Sequence, residues 1–318
     1  LIILDEPDVY MHSDMQRKVL ELVKRKFEQV IIATHSLEII SRVSPDSLLE
    51  INKKDKKMHY ATDSVSAQKI IDDIGGVQNL SLLKLGRTRK CLFVEGKDLK
   101  YINSFYEILY GKQLNITTIP FGGFNNISRV YGCSNLLYTE TANQIRCYAL
   151  ADKDYRDPRI LEEVEKEAVD QHLQLHILQR KEIENYLIIP QALFKVIPKT
   201  ANLIYDDFLE QLEALLDEEY NKVFDAYATQ YHIDCKKLTK GPQWETKTCN
   251  AKARAYLEEH WKTIDDKIAL VGGKEFLSRL AKFYQDKFGV TLTIKKIFNG
   301  ITSTLVPEEI VQFLDQLK

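Results

Sequence analysis

The sequence predicts an α/β protein: a βαβ unit, then a second α/β domain built on a parallel sheet, then a mostly helical C-terminal region. Three observations carry that expectation. Short apolar runs recur at residues 1–4, 30–34, 91–94, 116–120, 146–151 and 173–178, which is the length of buried strands rather than of helices. Segments with apolar residues at helical spacing lie between them, so the strands are joined by crossovers and run parallel. From about residue 191 onward the strand-like runs give way to a helical period.

The first run ends in Asp5-Glu6-Pro7. Between it and the second run, Met15, Val19, Leu22, Val23 and Phe27 fall at helical spacing and predict a crossover helix with a basic outer face. The second strand ends in Thr34-His35. Runs at 48–51 and 58–61 flank a lysine-rich turn and predict a hairpin. A short helix should follow, with Ser64 as its cap and Gly75-Gly76 as its stop. Residues 80–85 then lead through the basic stretch 87–90, which suits either a nucleic-acid contact or a solvated interdomain link.

In the second domain, strand 91–94 runs into Glu95 and Asp98, and the helix after it turns Tyr101, Ile102, Phe105, Ile108 and Leu109 inward. Strand 116–120 ends at Gly122-Gly123, a pair that permits close backbone approach to a phosphate or an acidic rim, or forms a plain turn. A helix around 126–138 leads to strand 146–151, which ends in Asp152, Asp154 and Asp157. Pro158 opens a charged helix, and after strand 172–178 a helical segment 180–187 carries Glu182 and Glu184. These two cannot share one helical face, so one is expected in the site while the other braces a neighbour or begins the helix.

Buried parallel strands end at a shared rim, which lets Glu95, Asp98, Asp152, Asp154, Glu182 and Glu184 converge. Read without cationic partners in their motifs, such carboxylates repel one another unless a cation neutralises them. Hard divalent ions with oxygen ligands are the usual solution, and a pair of Mg2+ or Mn2+ ions forms a phosphodiester-cleaving clamp.

In the C-terminal region Phe208, Leu212, Leu215, Leu216, Val223 and Phe224 make a core stripe. Lys236, Lys237, Lys240, Lys247, Lys252 and Arg254 stand against Glu245 alone, with Trp244 interleaved. Basic residues with an aromatic suit a nucleic-acid strand, and a solvated loop has the same composition. Val271-Gly272-Gly273-Lys274 places a lysine at an expected helix start, a position favourable for anions, though a plain helix cap reads the same way.

The order LFVEGKD, then ALADKDYRD, resembles the Toprim domain of topoisomerases, primases and the OLD (overcoming lysogenisation defect) nucleases, and RKEIENYL is specific to the OLD-like branch. The resemblance spans roughly residues 88–190. LIILDEPD resembles the Walker B motif of ABC-type ATPases, in which Asp5 would hold magnesium and Glu6 position water, and VIIATHS resembles their switch-histidine strand, ending in His35. Asp8 to His12 and Gln16 fall where such ATPases touch the opposing subunit. No GxxxxGK[ST] occurs and no LSGG-like signature precedes Asp5, so nothing here would cradle the β- and γ-phosphates. Residues 1–62 are therefore expected to be the C-terminal part of an ATPase domain that does not hydrolyse ATP by itself.

The resemblance implies a linker at 63–90, a Toprim (Rossmann-like) nuclease domain at 91–190 and a helical region at 191–318 completing the nuclease lobe. It implies a metal-dependent endonuclease of DNA in anti-phage defence, with ATP used by the intact protein, homo-oligomers formed through the ATPase domain and a defence-system partner protein. Glu95, Asp152 and Asp154 would hold the metal, Glu182 or Glu184 would complete the site, and Lys274 would neutralise the phosphate in the transition state. Many OLD relatives carry an acid four residues after the motif glutamate; here that position is Leu99, and Asp98 stands one residue earlier. Two rival readings remain: a Toprim ribonuclease acting on structured or transfer RNA, and a non-enzymatic ATP-gated DNA-binding scaffold, against which the retention of all three acidic motifs argues. Topoisomerase chemistry is disfavoured, because no nucleophilic-tyrosine domain stands out among the 16 tyrosines.

Bulk properties bound these readings. A net charge of −2 over 318 residues excludes a globally basic nucleic-acid coat, so any such surface is a local patch. No apolar run approaches the ~20 residues of a membrane span, and no signal peptide is recognisable. Five cysteines without CxxC spacing fit a reducing cytoplasm. His172 and His176 are four apart, but the expected helix ends between them, which argues against zinc.

Overall fold

A computed structural model describes residues 1–43, 45–52, 57–61, 64–73, 80–96, 98–238 and 245–318. The chain divides into two compact units, Leu1–Lys90 with Asn115–Thr117, and Cys91–Leu114 with Thr118–Lys318.

In the first unit β1 (Ile2–Asp5) and β2 (Val30–Ala33) pair in parallel, joined by α1 (Ser13–Lys26). Asp14 in the first turn and Lys24, Arg25 and Lys26 in the last complement the helix dipole. The expected inward stripe of α1 is corrected: Leu20 and Val23 are buried, whereas Met15, Leu22 and Phe27 are exposed. The expectation of fully buried strands is corrected too. Burial alternates along both, and Ile3 and Ile31 are 65% and 55% exposed. A sheet of two described strands covers only a narrow strip of a helix, and its own alternate side chains point away from that cover.

After α2 (Leu37–Ile40), β3 (Leu49–Asn52) and β4 (Lys57–Tyr60) form the expected antiparallel hairpin. Its turn, and the Gly75-Gly76 stop, lie outside the described residues. Two helices follow, α3 (Ser64–Asp73) and α4 (Leu80–Thr88), and both fold with the first unit. Ile40, Ala61, Ala67, Ile70 and Ile71 make their core with Leu37 and Leu48. Arg87 donates to Glu38 and Ser41, so this member of the basic stretch serves internal packing.

The second unit alternates β5 (Lys90–Val94), α5 (Leu99–Tyr110), β6 (Thr117–Pro120), α6 (Ile127–Glu140), β7 (Arg146–Ala151), α7 (Pro158–Asp170) and β8 (Leu173–Ile177). The sheet order is β6-β5-β7-β8, and β7 and β8 pair in parallel. Cys91 to Val94 and Cys147 to Ala151 are all buried, as befits central strands covered on both faces. On α5, Tyr101, Ile102, Phe105 and Tyr106 are buried. Asp157 caps α7 by accepting from Arg159 N, with Pro158 at its first position.

Beyond β8 the chain is helical: α8 (Pro190–Phe194), α9 (Tyr205–Asp217), α10 (Tyr220–Leu238), α11 (Thr246–His260), α12 (Ile264–Leu270), α13 (Gly273–Phe288), α14 (Ile294–Gly300) and α15 (Glu308–Gln316). Phe208, Leu212, Leu216 and Val223 are buried as expected. Among the described residues no helix is long and apolar enough to cross a membrane.

Candidate active site

The C-terminal ends of β5, β7 and β8 deliver the acidic motifs in spatial order along the sheet. Glu95 follows β5 directly, and its Oε1 lies 3.4 Å from the backbone N of Asp152 just past β7. Oδ1 of Asp152 accepts in turn from the backbone N of Ile183, at 3.1 Å. Asp154 adopts a left-handed φ of 50°, held by its N–H donating to the carbonyl of Lys181 at 2.8 Å. Gly123, after β6, has φ 98°, and a Cβ there would stand 3.4 Å from Glu95 Oε2. Of the meanings open for the glycine pair, the structure displays close approach to the acidic rim.

The segment expected to be helical at 180–187 is a 3-10 turn, Ile183–Leu187, and Glu182 precedes it in extended conformation, with φ −150° and ψ 166°. That break resolves the spacing problem, because the two glutamates no longer have to share one helical face. Oε1 of Glu182 accepts from the backbone N of Lys274 at 2.7 Å, and the Lys274 ammonium lies 3.7 Å from Glu184 Oε1. Lys274 sits in the first turn of α13, and its side chain is 78% exposed while that of Glu184 is 6% exposed. Gly273 is required sterically: a Cβ there would meet Asn185 N at 2.8 Å and the Glu184 carbonyl carbon at 3.0 Å.

Burial, reinforced by mutual repulsion, governs the electrostatics. Burial pushes the Asp152 carboxyl up to about 9, with Asp98, Glu95, Asp154 and Glu182 all adding to the shift. It pushes Asp98 up to about 7, with help from Glu184 and Glu95 and opposition from Lys274. Glu95 also rises to about 7, through burial and then Asp154, with Arg156 opposing. The Glu184 carboxylate holds the Lys274 ammonium above its ordinary value. These cross-influences place Asp98, one residue short of α5, in the same cluster.

One expectation needs correction. The motifs do contain cationic partners: Lys181 lies 2.5 Å from Glu182 Oε2, and Arg156 is buried with its guanidinium 4.0 Å over the Phe124 ring and 3.6 Å from Asp234. Among the described residues, no group of three His, Cys, Asp or Glu is gathered closely enough to hold an ion. Glu95, Asp152 and Glu182 each accept from a backbone N–H through one carboxylate oxygen.

Sequence reasoning missed Arg156, Lys181 and Asn185. Asn185 is fully buried; its amide donates to the carbonyls of Ile268 and Val271 at 2.6 and 2.8 Å, and its Oδ1 accepts from Glu182 N at 3.0 Å. It bolts the acidic turn to the loop before Lys274. A polar side chain amid Ile183, Tyr186 and Leu187 was the available signal.

The described members of the basic set at 236–254 are all exposed, and two of them also contact aromatic rings. Lys236 and Lys237 are exposed at the end of α10, and Lys247 is exposed on α11. Lys252 donates to Tyr231 Oη at 3.1 Å, and Arg254 lies 5.4 Å over the Phe224 ring. Lys240 and Trp244 lie outside the described residues.

In the first unit the two strand ends bring the ATPase-like residues together. Glu6 N donates to the carbonyl of Ala33 at 2.8 Å, Glu6 itself has φ 44°, and His35 Nε2 lies 3.5 Å from Glu6 Oε1. Asp5 pairs in register with Ala33. Thr34 donates to Asp8, and Ser36 donates to Gln16 Oε1 at 2.6 Å, which ties the turn after β1 to the end of β2.

Residues 1–41 match the model of the AbiEii toxin-like AAA domain, of a type IV TA system. This stretch is similar to part of an AAA/ABC-type ATPase domain. No curated protein matches the chain.

Proposed function

We propose that the second unit is a Toprim-type, metal-dependent endonuclease that cuts DNA phosphodiester bonds, and that the intact protein couples it to an ABC-type ATPase in the manner of OLD nucleases. The observation that carries this is the gathering of Glu95, Asp98, Asp152, Asp154, Glu182 and Glu184 about three strand ends, with the carboxyls of Glu95, Asp98 and Asp152 pushed up by burial and by neighbouring carboxylates. Proton affinities raised in this way mark a site whose buried carboxylates outweigh the opposing charges of Arg156 and Lys274.

The donor set fits a hard divalent ion, since every candidate atom is a carboxylate oxygen. Glu95, Asp152 and Asp154 would hold it, with Asp98, Glu182 and Glu184 around them. When bound, Mg2+ or Mn2+ supplies the charge that polarises the scissile phosphate and makes water more acidic. The chain's own residues do the rest. Lys274, exposed beside Glu184, supplies an ammonium to the phosphate from a helix start. Arg156, whose charge favours ionised Glu95, steadies that carboxylate. Asn185 and Gly273 fix the separation of the glutamates from Lys274.

The ATPase portion would act on nucleotide through Asp5, Glu6 and His35, with Mg2+ held by Asp5, and would assemble copies of the chain into oligomers. A cytoplasmic role in anti-phage defence, alongside a partner protein, is what the OLD resemblance implies.

The test incubates full-length protein with supercoiled plasmid and labelled RNAs, in Mg2+, Mn2+ or EDTA, for the wild type and Asp152→Ala. Metal-dependent plasmid cutting, lost in the variant, is expected. Cutting confined to RNA would reassign the substrate, and tight binding without cutting in either metal would favour the scaffold.

A further inference from the structure

A groove of about 580 Å3 runs between α5 and α14, lined by Lys100, Tyr101, Ser104 and Glu107 on one side and Lys295 and Phe298 on the other. Its walls are aromatic: the Tyr101 and Phe298 rings stack at 6.4 Å and 27°, and Phe105 backs Phe298 edge-on at 5.1 Å. Lys100 is already folded over the Tyr101 ring, its ammonium 4.4 Å from the centroid. Phe298 is half-buried and Lys295 exposed, so part of the ring and a positive charge reach the groove surface.

The groove adjoins the carboxylate cluster. Asp98, a cluster member, is the residue on which α5 begins, and Lys100 and Tyr101 occupy the next turn. Tyr101 is also near enough to Lys274 to act on its charge. Within the groove, Lys100 and Lys295 stand against Glu107, which lies about 10 Å of helix rise beyond Lys100, so the groove's own positive charge is at the Lys100 end.

We propose that this groove binds one unstacked nucleotide of the strand being cut, beside the scissile position, with its base on Phe298 and its phosphate held by Lys100 and Lys295. The volume suits a single nucleotide rather than a duplex. Aromatic faces flanked by lysines are the general means of holding single-stranded nucleic acid, because every base has a π-face to stack. The inference rests on the nuclease reading for its substrate, but not for its binding surface.

The test uses the full chain in calcium and follows the fluorescence anisotropy of a short labelled oligonucleotide of mixed sequence, as DNA and as RNA. Phe298→Leu keeps the apolar volume and removes the ring face; it should weaken binding about 5- to 30-fold. Lys295→Gln should weaken binding and reduce the salt dependence by about one unit of slope. With Mg2+ or Mn2+ present, both should raise KM far more than they lower kcat. Irradiating wild-type protein with an iodouracil-substituted oligonucleotide should crosslink α5 or α14, a readout that survives any folding defect in the variants. A wild type that cuts, with variant affinities unchanged and crosslinks elsewhere, would overturn the groove while leaving the nuclease standing. A wild type that binds through the groove but cuts nothing in either metal would overturn the nuclease and keep the groove.

Discussion

Replacing Asp152 by Asn should stabilise the metal-free protein, by an amount that depends on pH in a stated direction. The folded state lifts this carboxyl from 3.8 to about 9, so the proton is held far more tightly in the folded chain than in the unfolded one. Below pH 3.8 both states are protonated and the site imposes no penalty. As pH rises toward about 9, the unfolded chain gains from ionisation while the folded one does not, and stability falls. At neutral pH the gap is about three pK units, which corresponds to a ceiling of about 4 kcal/mol. Asp152 is half-buried, so water screens part of this, and about 2 kcal/mol is expected. Asn keeps the Oδ1 acceptor used by Ile183 N, so no hydrogen bond is lost. For a unit of this size, that gain raises the melting temperature by roughly 4–8 °C. The assay is thermal unfolding of wild type and Asp152→Asn in EDTA at several pH values. A gain that is absent near pH 4 and grows toward pH 8 is expected. A gain independent of pH, or a loss at pH 8, would refute the idea that the cluster is electrostatically frustrated.

Further outcomes follow from the same geometry. Gly273→Ala drives a Cβ against Asn185 and Glu184 and should lower stability by about 1–3 kcal/mol, read by calorimetry. Because the displaced turn carries Glu182, cutting should fall as well. Lys274→Ala should slow single-turnover cutting about 10²–10³-fold while oligonucleotide affinity in calcium changes little; a uniform loss of affinity would instead make the lysine a phosphate-positioning group. In the intact ATPase, Glu6→Gln should abolish ATP turnover yet leave nucleotide binding, since Asp5 remains; turnover at the wild-type rate would remove Glu6 from the chemistry.

Much of the site was legible because each acidic motif follows an apolar run long enough to be only a strand, and parallel strands end at one rim. Glu95, Asp152 and Asp154 needed nothing more. The run 180–187 was misread as a helix because its composition suits one, whereas the Glu182 N–H is taken by the Asn185 side chain and the turn tightens to a 3-10 form. Lys181 and Arg156 sat in plain view in the motifs, but sequence does not say which carboxylate a cation faces; that depends on backbone turns such as the left-handed Asp154. The face of α1 went wrong for a different reason. Its stripe spans more apolar residues than the two described strands cover, so Leu20 and Val23 are buried while Met15 and Leu22 stay exposed. Arg87 reads as a surface base in a linker, and only the packing of α4 against α2 shows that Glu38 claims it.

The most direct test of the central claim is calorimetric titration of Mn2+ into the full chain near pH 6.5, in two buffers of different ionisation enthalpy, for wild type and Asp152→Asn. At that pH Glu95, Asp98 and Asp152 retain much of their protons, which an incoming cation must displace. The account predicts saturable binding to the wild type with release of about two protons per ion, and loss of both in the variant. Equal Mn2+ binding by the two proteins, or binding without proton release, would contradict it.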